Sequence, residues 1–344
     1  MRAVVMRSNR LIVAEVPTPT PGAGEVLVRT LACGICGTDL HVLRYAKAMA
    51  EAPGSFGGLF AIDPGRDVVM GHEFCAEVVE YGPETRKRLK CGTRVCSIPV
   101  LKRRTGDESI GYSCVHPGGF GEMMRLSEDI LLEVPKGVDP EVAAMTEPMA
   151  VAYHAVAKAK LDRRTVTLVI GCGPVGLSII AVLKANGIGP IVGADFSPVR
   201  RGLALRMGAD LAVDPHEQSP YNAVDLHGSK ERSTAIFECV GKPLLLDEIV
   251  SQAPKRAKII VAGLCMEPDR LNLLRAAQKE VTVQFVLGYD GDEFGAAFRL
   301  IMKGKLPVQA LITSRVALAD VAAAFDYLGS PQQHGKIVVE PWRT

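Results

Sequence analysis

The feature that most restricts the fold of this chain is the stretch VTLVIGCGPVG at residues 166–176. An apolar run of strand length ends in a G-x-G-x-x-G pattern, and a helical pattern follows it. In this context Gly171 permits a tight turn, Gly173 lets the backbone approach a pyrophosphate, and Gly176 lets the helix pack closely on the strand. The helix N-terminus would then present its unpaired N–H groups to the phosphates. The segment predicts a dinucleotide-binding turn; the alternative is a glycine turn that binds no nucleotide.

An acidic residue closes the next predicted strand, in the segment IVGADFS. Asp195 lies close to the spacing of about 20 residues at which a carboxylate holds the ribose diol of a dinucleotide. A carboxylate there repels a 2′-phosphate, so the pattern favours NAD over NADP, although Arg200 and Arg201 follow closely and could soften that preference. The residues predicted to bind the cofactor are Gly171, Gly173, Pro174, Val175, Gly176, Asp195 and Arg200.

Two regions of the chain differ in their patterns. From about 165 to 290, apolar strands alternate with helical segments, which is typical of a parallel sheet with helices on both faces. Residues 1 to about 145 contain short strand patterns separated by Pro and Gly, which predicts a barrel-like domain. The tail, with a last strand GKIVVEP, is expected to rejoin the first domain. The Gly/Pro-rich stretch at 51–65 is predicted to be a functional cover or a mobile segment.

Composition argues against several classes of function. The formal net charge is +2, so no strong field favours nucleic acid or an anionic membrane. The longest apolar runs have the length of strands and are far short of a membrane span. Nine cysteines, scattered along a chain that starts without a leader-like apolar segment, argue against a disulfide framework. We therefore expect a cytoplasmic protein with neither a nucleic-acid nor a membrane partner.

The stretch LACGICGTDLH at residues 31–41 concentrates reactive side chains. Its C-x-x-C pair could be a redox couple, but no βαβ unit follows it. It could be half of a closed zinc site, which needs four protein ligands. A third interpretation combines one thiolate with His72 and Glu73 of the segment GHE and leaves one metal position open, as catalysis requires. Glu147, in TEPMAVAYHAV, is a further candidate acid.

Eight segments occur in this order: CGICGTDLH, GHE, GGFGEMM, TEPMAVAYHAV, VIGCGPVG, GADFS, ECVG and GKIVV. In this order they resemble the medium-chain zinc-dependent alcohol and polyol dehydrogenases over essentially the whole chain. The sorbitol, butanediol and threonine dehydrogenase branch looks most similar, because Glu147 stands where many alcohol dehydrogenases have cysteine. The resemblance implies an α/β fold with a GroES-like β-barrel catalytic domain at 1–147, a Rossmann domain with a doubly wound parallel sheet at 148–288, and a C-terminal return to the catalytic domain at 289–344.

The resemblance also implies a ligand set. Cys36 and His72 would be zinc ligands, while Glu73 and Glu147 would alternate as a ligand or hold a metal-bound water. Cys33 would be structural, which argues against a redox couple.

The catalytic roles that the resemblance implies surround these ligands. Thr38 would hydrogen-bond the substrate oxygen, and His41 would end the proton relay. Asp39 would accept a hydrogen bond from the ring N–H of His72 and fix its tautomer. The residues predicted to be catalytic are Thr38, Asp39, His41 and Glu73.

Family members with a second, structural zinc carry four closely spaced cysteines in one lobe. The matching stretch here contains only Cys96 and Cys114, so we predict one catalytic zinc per chain and no structural zinc.

The predicted activity is hydride transfer between NAD and a secondary alcohol, a diol or a polyol, or the matching ketone. One alternative is a zinc-free medium-chain reductase of activated double bonds, and another is a nucleotide- or zinc-binding protein without turnover. The apolar segment VTVQFVL at 281–287 is expected to be the last strand of the nucleotide sheet. An unpaired apolar edge favours a homodimer or a homotetramer, unless a loop covers it.

Overall fold

The computed structural model describes residues 1–51, 62–63, 65–226, 232–329 and 334–344. Most of the predicted loop at 51–65 therefore lies outside the described residues. The chain divides into two compact units. The first contains Met1–Glu147 and most of the chain from Ile312 onward, and the second contains Pro148–Leu311. The predicted domain boundaries at 147/148 and 288/289 stay predictions.

The bounds of the regular elements follow the chain. The strands are β1 (Arg2–Arg7), β2 (Arg10–Glu15), β3 (Glu25–Gly34), β4 (Val68–Val69), β5 (Glu73–Tyr81), β6 (Arg94–Cys96), β7 (Val100–Leu101), β8 (Glu108–Ser109), β9 (Met123–Ser127), β10 (Leu132–Glu133), β11 (Val166–Ile170), β12 (Ile191–Ala194), β13 (Leu211–Val213), β14 (Thr234–Glu238), β15 (Lys258–Val261), β16 (Thr282–Phe285), β17 (Ile312–Val316) and β18 (Lys336–Val339). The helices are α1 (Gly37–Glu51), α2 (Pro140–Ala144), α3 (Thr146–Ala159), α4 (Pro174–Ala185), α5 (Pro198–Met207), α6 (Pro220–Leu226), α7 (Leu245–Gln252), α8 (Leu273–Lys279), α9 (Gly291–Met302) and α10 (Val321–Gly329).

Short antiparallel strands dominate the first unit. One sheet has the order β10-β6-β5-β3-β18-β17, with β9 also paired to β3, and a second sheet has the order β2-β1-β4. Strand β3 is central: it pairs antiparallel with β5 and β9, and with β18 from the end of the chain. The register places Gly34 opposite Glu73, so the start of β5 lies beside the end of β3. The end of β3 thus lies beside strands that are distant in sequence.

A six-stranded parallel sheet forms the centre of the second unit. Its order is β13-β12-β11-β14-β15-β16, which is the order of a Rossmann fold. Val166 and Leu168 of β11 belong to the apolar cluster that includes residues of α6 and α7. Val169, on the opposite face of the strand, approaches Gly176 of α4. Helices cover both faces of the sheet, so the predicted fold class is confirmed.

Strand β16 is the last strand of that sheet, and it lies at an edge. Its placement agrees with the expectation for residues 281–287. Within the ranges that the structure describes, every helix is too short or too polar to cross a membrane.

Candidate active site

Three side chains of the types that bind metals in proteins come together in the first unit. Cys36, His72 and Glu73 each offer one ligand atom, and these atoms lie within 4.8 Å of one another. Cys36 directly precedes α1, whereas His72 and Glu73 stand at the start of β5. Gly34, opposite Glu73 on β3, leaves room for the carboxylate, since a Cβ there would lie 2.1 Å from Glu73 Oε2. The pairing of β3 with β5 therefore assembles the cluster.

Asp39 anchors the residues around this cluster. Its carboxylate is fully buried, and Oδ2 accepts a hydrogen bond from the Cys36 N–H at 2.9 Å. That bond satisfies an N–H group at the start of α1 and fixes the backbone of Cys36. Oδ1 accepts a hydrogen bond from the Tyr112 hydroxyl at 2.9 Å and lies 3.4 Å from His72 Nδ1. The Asp39 carboxylate thus lies beside the ring nitrogen of His72, as the resemblance implies. Oδ1 and Nδ1 nevertheless lack hydrogen-bond geometry.

The charge state of His72 reflects these neighbours. Burial lowers the pKa of its imidazole, but Asp39 and the Cys36 sulfur more than offset that effect, so the pKa is raised well above its usual value. A metal at this site would therefore displace a proton from His72.

Lys336 is the countercharge of Glu73. Its ammonium group is buried and donates to both carboxylate oxygens, at 2.6 and 2.7 Å, and to the Ile35 carbonyl at 3.1 Å. Burial lowers the pKa of Lys336, yet the Glu73 carboxylate more than offsets this, and the pKa is raised. Lys336 is not among the site residues predicted from the sequence, although its segment GKIVV is one of the eight segments of the resemblance.

Glu147 stands in the first turn of α3 and is buried. Its carboxylate acts on the pKa of both Lys336 and Tyr112, so it lies near the cluster. The group of ligand atoms within 4.8 Å contains Glu73 and does not contain Glu147.

Thr38 and His41 lie on one face of α1, three residues apart. The Thr38 hydroxyl is 3.6 Å from Cys36 Sγ, so it adjoins the cluster. His41 is half-buried and stacks against Tyr45, with ring centroids 6.3 Å apart. Burial and, to a lesser extent, Arg44 lower the pKa of His41, which favours the neutral imidazole near pH 7.

The donor set of the cluster fits zinc. Thiolate, imidazole and carboxylate are the groups that bind zinc in proteins, and three protein ligands leave a position for substrate. Because His72 Nδ1 faces Asp39, its Nε2 remains for the metal, the arrangement in which a carboxylate orients a ligating imidazole.

The stretch that contains Cys96 and Cys114 corresponds to the structural-zinc lobe of other family members, and different contacts stabilise it here. Cys96 Sγ donates to the Ala143 carbonyl at 3.2 Å, and Cys114 Sγ accepts from the Asp63 N–H at 3.2 Å. The two thiols therefore make separate contacts. In the described part of the chain, the one group of three or more metal-binding side chains is the cluster at Cys36. An ionic network connects this stretch to β3 and β9. Its members are Glu25, Arg103, Glu108, His116 and Arg125.

The glycine turn of the second unit has the geometry that its pattern predicts. Gly171 has φ +89°, a conformation that suits glycine. Gly173 precedes α4, and Pro174 and Val175 form the first helical positions. A Cβ at Gly176 would lie 1.9 Å from the Gly171 carbonyl oxygen, so close packing of helix on strand demands glycine.

Asp195 lies at the carboxyl end of β12 and faces this turn. Its Oδ2 accepts from the Cys172 N–H at 2.9 Å and its Oδ1 from the Ser197 N–H at 2.8 Å. Arg200 Nη1 is 4.0 Å from Asp195, and its buried Nε has no hydrogen-bond partner. Arg201 instead donates to backbone carbonyls and to Asp214, at 2.7 Å, so it fixes the loop.

Comparisons with known proteins agree with this geometry. The model of the alcohol dehydrogenase GroES-like domain matches residues 22–136, and the model of zinc-binding dehydrogenases matches residues 174–303. (R,R)-butanediol dehydrogenase of Bacillus subtilis is 30% identical, and the match covers 96% of each chain. L-threonine 3-dehydrogenase of Saccharopolyspora erythraea is 29% identical over 99% of each chain, and sorbitol dehydrogenase of B. subtilis is 26% identical over 95% of this chain and 93% of the relative.

One similar solved structure contains NADH. An alcohol dehydrogenase from E. coli CFT073, complexed with NADH, matches with a TM-score of 0.82 and 26% identity over 99% of each chain. The predicted family, fold class and enzyme class are confirmed. The chain is an oxidoreductase that belongs to the medium-chain zinc-dependent alcohol and polyol dehydrogenase family.

Proposed function

We propose that this enzyme transfers a hydride between NAD and a secondary alcohol, a diol or a polyol, or the matching ketone, with one zinc per chain. The observation that carries the proposal is the cluster of Cys36, His72 and Glu73, with the Thr38 hydroxyl beside it. The names of the relatives, butanediol and sorbitol dehydrogenase, support the substrate class.

The metal would be held by Cys36, His72 and one carboxylate, from Glu73 or Glu147. Bound zinc supplies a Lewis acid that lowers the pKa of an alcohol toward neutrality, and the nicotinamide supplies the hydride acceptor. Lys336 donates to both oxygens of Glu73, and each oxygen keeps a further lone pair that could ligate a metal. Both carboxylates are therefore candidates.

The side chains of α1 would move the proton. Thr38 would accept the proton of the substrate hydroxyl and pass its own onward. His41 would accept it at the end of the relay, since its lowered pKa leaves the imidazole neutral near pH 7.

The zinc-free reductase is the alternative reaction within this two-domain fold. It would leave the assembled Cys36, His72 and Glu73 without a role.

Metal content and turnover on the same preparation test the proposal. We expect about one zinc per chain, NAD reduction with secondary alcohols or polyols, and loss of turnover on chelation, with recovery when zinc is restored. Turnover that persists after complete zinc removal would contradict the mechanism. Intact NADH binding with no zinc would favour the zinc-free reductase.

Asp195 is proposed to set the preference for NAD. For Asp195→Ser we expect kcat/KM for NAD to fall by about 10- to 100-fold, because a charge-assisted hydrogen bond to the ribose contributes about 1.5–3 kcal/mol. The value for NADP should rise, because repulsion is removed and Arg200 remains. Asp210→Ser is the matched control, since that carboxylate also accepts a backbone N–H of β12, from Ile191 at the opposite end of the strand. An equal loss for both cofactors would contradict this role.

We also propose that the chain forms a homodimer or a homotetramer through β16. Phe285 is 64% exposed at the sheet edge, and Leu287 beside it is 54% exposed. An apolar edge of this kind favours pairing with a second copy. Light scattering should give at least twice the chain mass for the purified protein, and Phe285→Glu should lower that mass. A wild-type monomer at micromolar concentration would contradict the proposal.

A further inference from the structure

Tyr112 is buried against the candidate metal site, and it has no part in the proposed hydride or proton transfer. Its ring contacts the His72 imidazole, with centroids 4.9 Å apart and planes tilted by 42°. Its hydroxyl donates to Asp39 Oδ1 at 2.9 Å. Tyr112 is 4% exposed and Asp39 is fully buried, so bulk water cannot readily replace this bond.

The Asp39 carboxylate connects Tyr112 to His72. Oδ2 accepts a hydrogen bond from the Cys36 N–H. Oδ1 accepts one from the Tyr112 hydroxyl and also lies 3.4 Å from His72 Nδ1. The two donors on opposite oxygens determine how the carboxylate plane is turned. The orientation of that plane determines how well Oδ1 can accept a hydrogen bond from His72 Nδ1–H when Nε2 binds a metal.

We propose that Tyr112 is a positioning residue of the metal site, which acts through Asp39 to hold the His72 ring and so increases the affinity for zinc. The inference rests on the proposed function, because it takes Cys36, His72 and a carboxylate to be the zinc ligands. Tyr112 touches neither metal nor substrate in this role. It supports the orientation of one ligand by a hydrogen bond and by ring contact.

The test compares zinc affinity in two variants that each lose one phenol oxygen. Tyr112→Phe keeps the ring contact and removes the donor to Asp39. Tyr81→Phe is the matched control, because the Tyr81 hydroxyl donates to the Leu89 carbonyl in the same unit and Tyr81 stands at the opposite end of β5 from Glu73. Competition with a chromophoric chelator should give Tyr112→Phe about 10- to 100-fold weaker zinc binding than the wild type, the usual effect of removing an outer-shell partner. Tyr81→Phe should bind zinc as the wild type does.

Two further readouts separate positioning from general loss of structure. With Co²⁺ in place of zinc, Tyr112→Phe should retain the thiolate-to-metal absorption of Cys36, while the ligand-field bands shift as His72 changes orientation. NADH binding should stay unchanged, as a check that the protein is folded.

A double-variant cycle tests the path through Asp39. If Tyr112 acts through that carboxylate, Tyr112→Phe should add little to the loss of affinity in Asp39→Asn. Fully additive losses would overturn this path, and so would a Tyr112→Phe zinc affinity equal to that of Tyr81→Phe. If the wild-type protein has no Cys36-dependent metal site, both the proposed function and the inference fail. If it binds zinc through Cys36 but Tyr112→Phe has no effect, only the inference fails.

Discussion

Cys36→Ser is expected to remove tight zinc binding and to lower kcat/KM for alcohol oxidation by about a thousandfold or more. Serine keeps the size of the side chain but offers a neutral hydroxyl in place of a thiolate, which is a much poorer ligand for zinc. A catalytic metal supplies several kcal/mol of charge stabilisation in the transition state, and each 1.36 kcal/mol is a factor of ten in rate. The measurements are zinc per chain after dialysis and steady-state kinetics, with NADH binding as the check on the second unit.

Cys33→Ala is the matched control for this experiment, since Cys33 belongs to the same C-x-x-C pair. The Cys33 side chain is fully buried, and its sulfur would lie 2.9 and 2.6 Å from Cβ atoms built at Gly71 and Gly119. It therefore fills a tight space in the core, and we expect its loss to lower the free energy of unfolding by about 1 kcal/mol while zinc and turnover are kept. Loss of zinc in Cys33→Ala, or its retention in Cys36→Ser, would contradict the assignment of the thiolate ligand.

The nucleotide-binding half of the fold follows from local sequence patterns. Strand, glycine turn, helix and acid are close together in the chain, so spacing alone predicts that Gly171, Gly176 and Asp195 meet. The structure brings these residues together, with the Asp195 carboxylate on the N–H of Cys172. The alternation of strands and helices likewise predicts the parallel sheet.

The candidate metal site depends on contacts that no local sequence pattern contains. His72 and Glu73 reach Cys36 only because β3 pairs with β5 in the register that sets Gly34 opposite Glu73. Lys336 comes from 263 positions away, and Tyr112 lies 73 positions from Asp39. The family resemblance implied the candidate ligands and the pairing of Asp39 with His72, because it encodes this register indirectly. It did not imply the contact of Lys336 with Glu73 or of Tyr112 with Asp39, which depend on the fold around each carboxylate.

Lys336→Met is expected to lower the free energy of unfolding of the metal-free protein by about 3–5 kcal/mol. The substitution keeps an unbranched apolar stem but removes the ammonium group, which leaves the buried Glu73 carboxylate without a countercharge. Denaturation by urea, followed by circular dichroism, gives the value. Lys102→Met is the matched control: its partner Asp107 is exposed, as Lys102 is, so its loss should cost at most about 1 kcal/mol.

Removing the charge on both sides tests the physical cause. In Lys336→Met combined with Glu73→Gln, no unpaired charge remains, and we expect most of the lost stability to return, as when a buried ion pair is replaced by neutral residues. If the double variant is as unstable as Lys336→Met alone, packing of the lysine stem accounts for the loss and the ion pair does not. Recovery would show that Lys336 stabilises the fold by balancing the buried charge of Glu73.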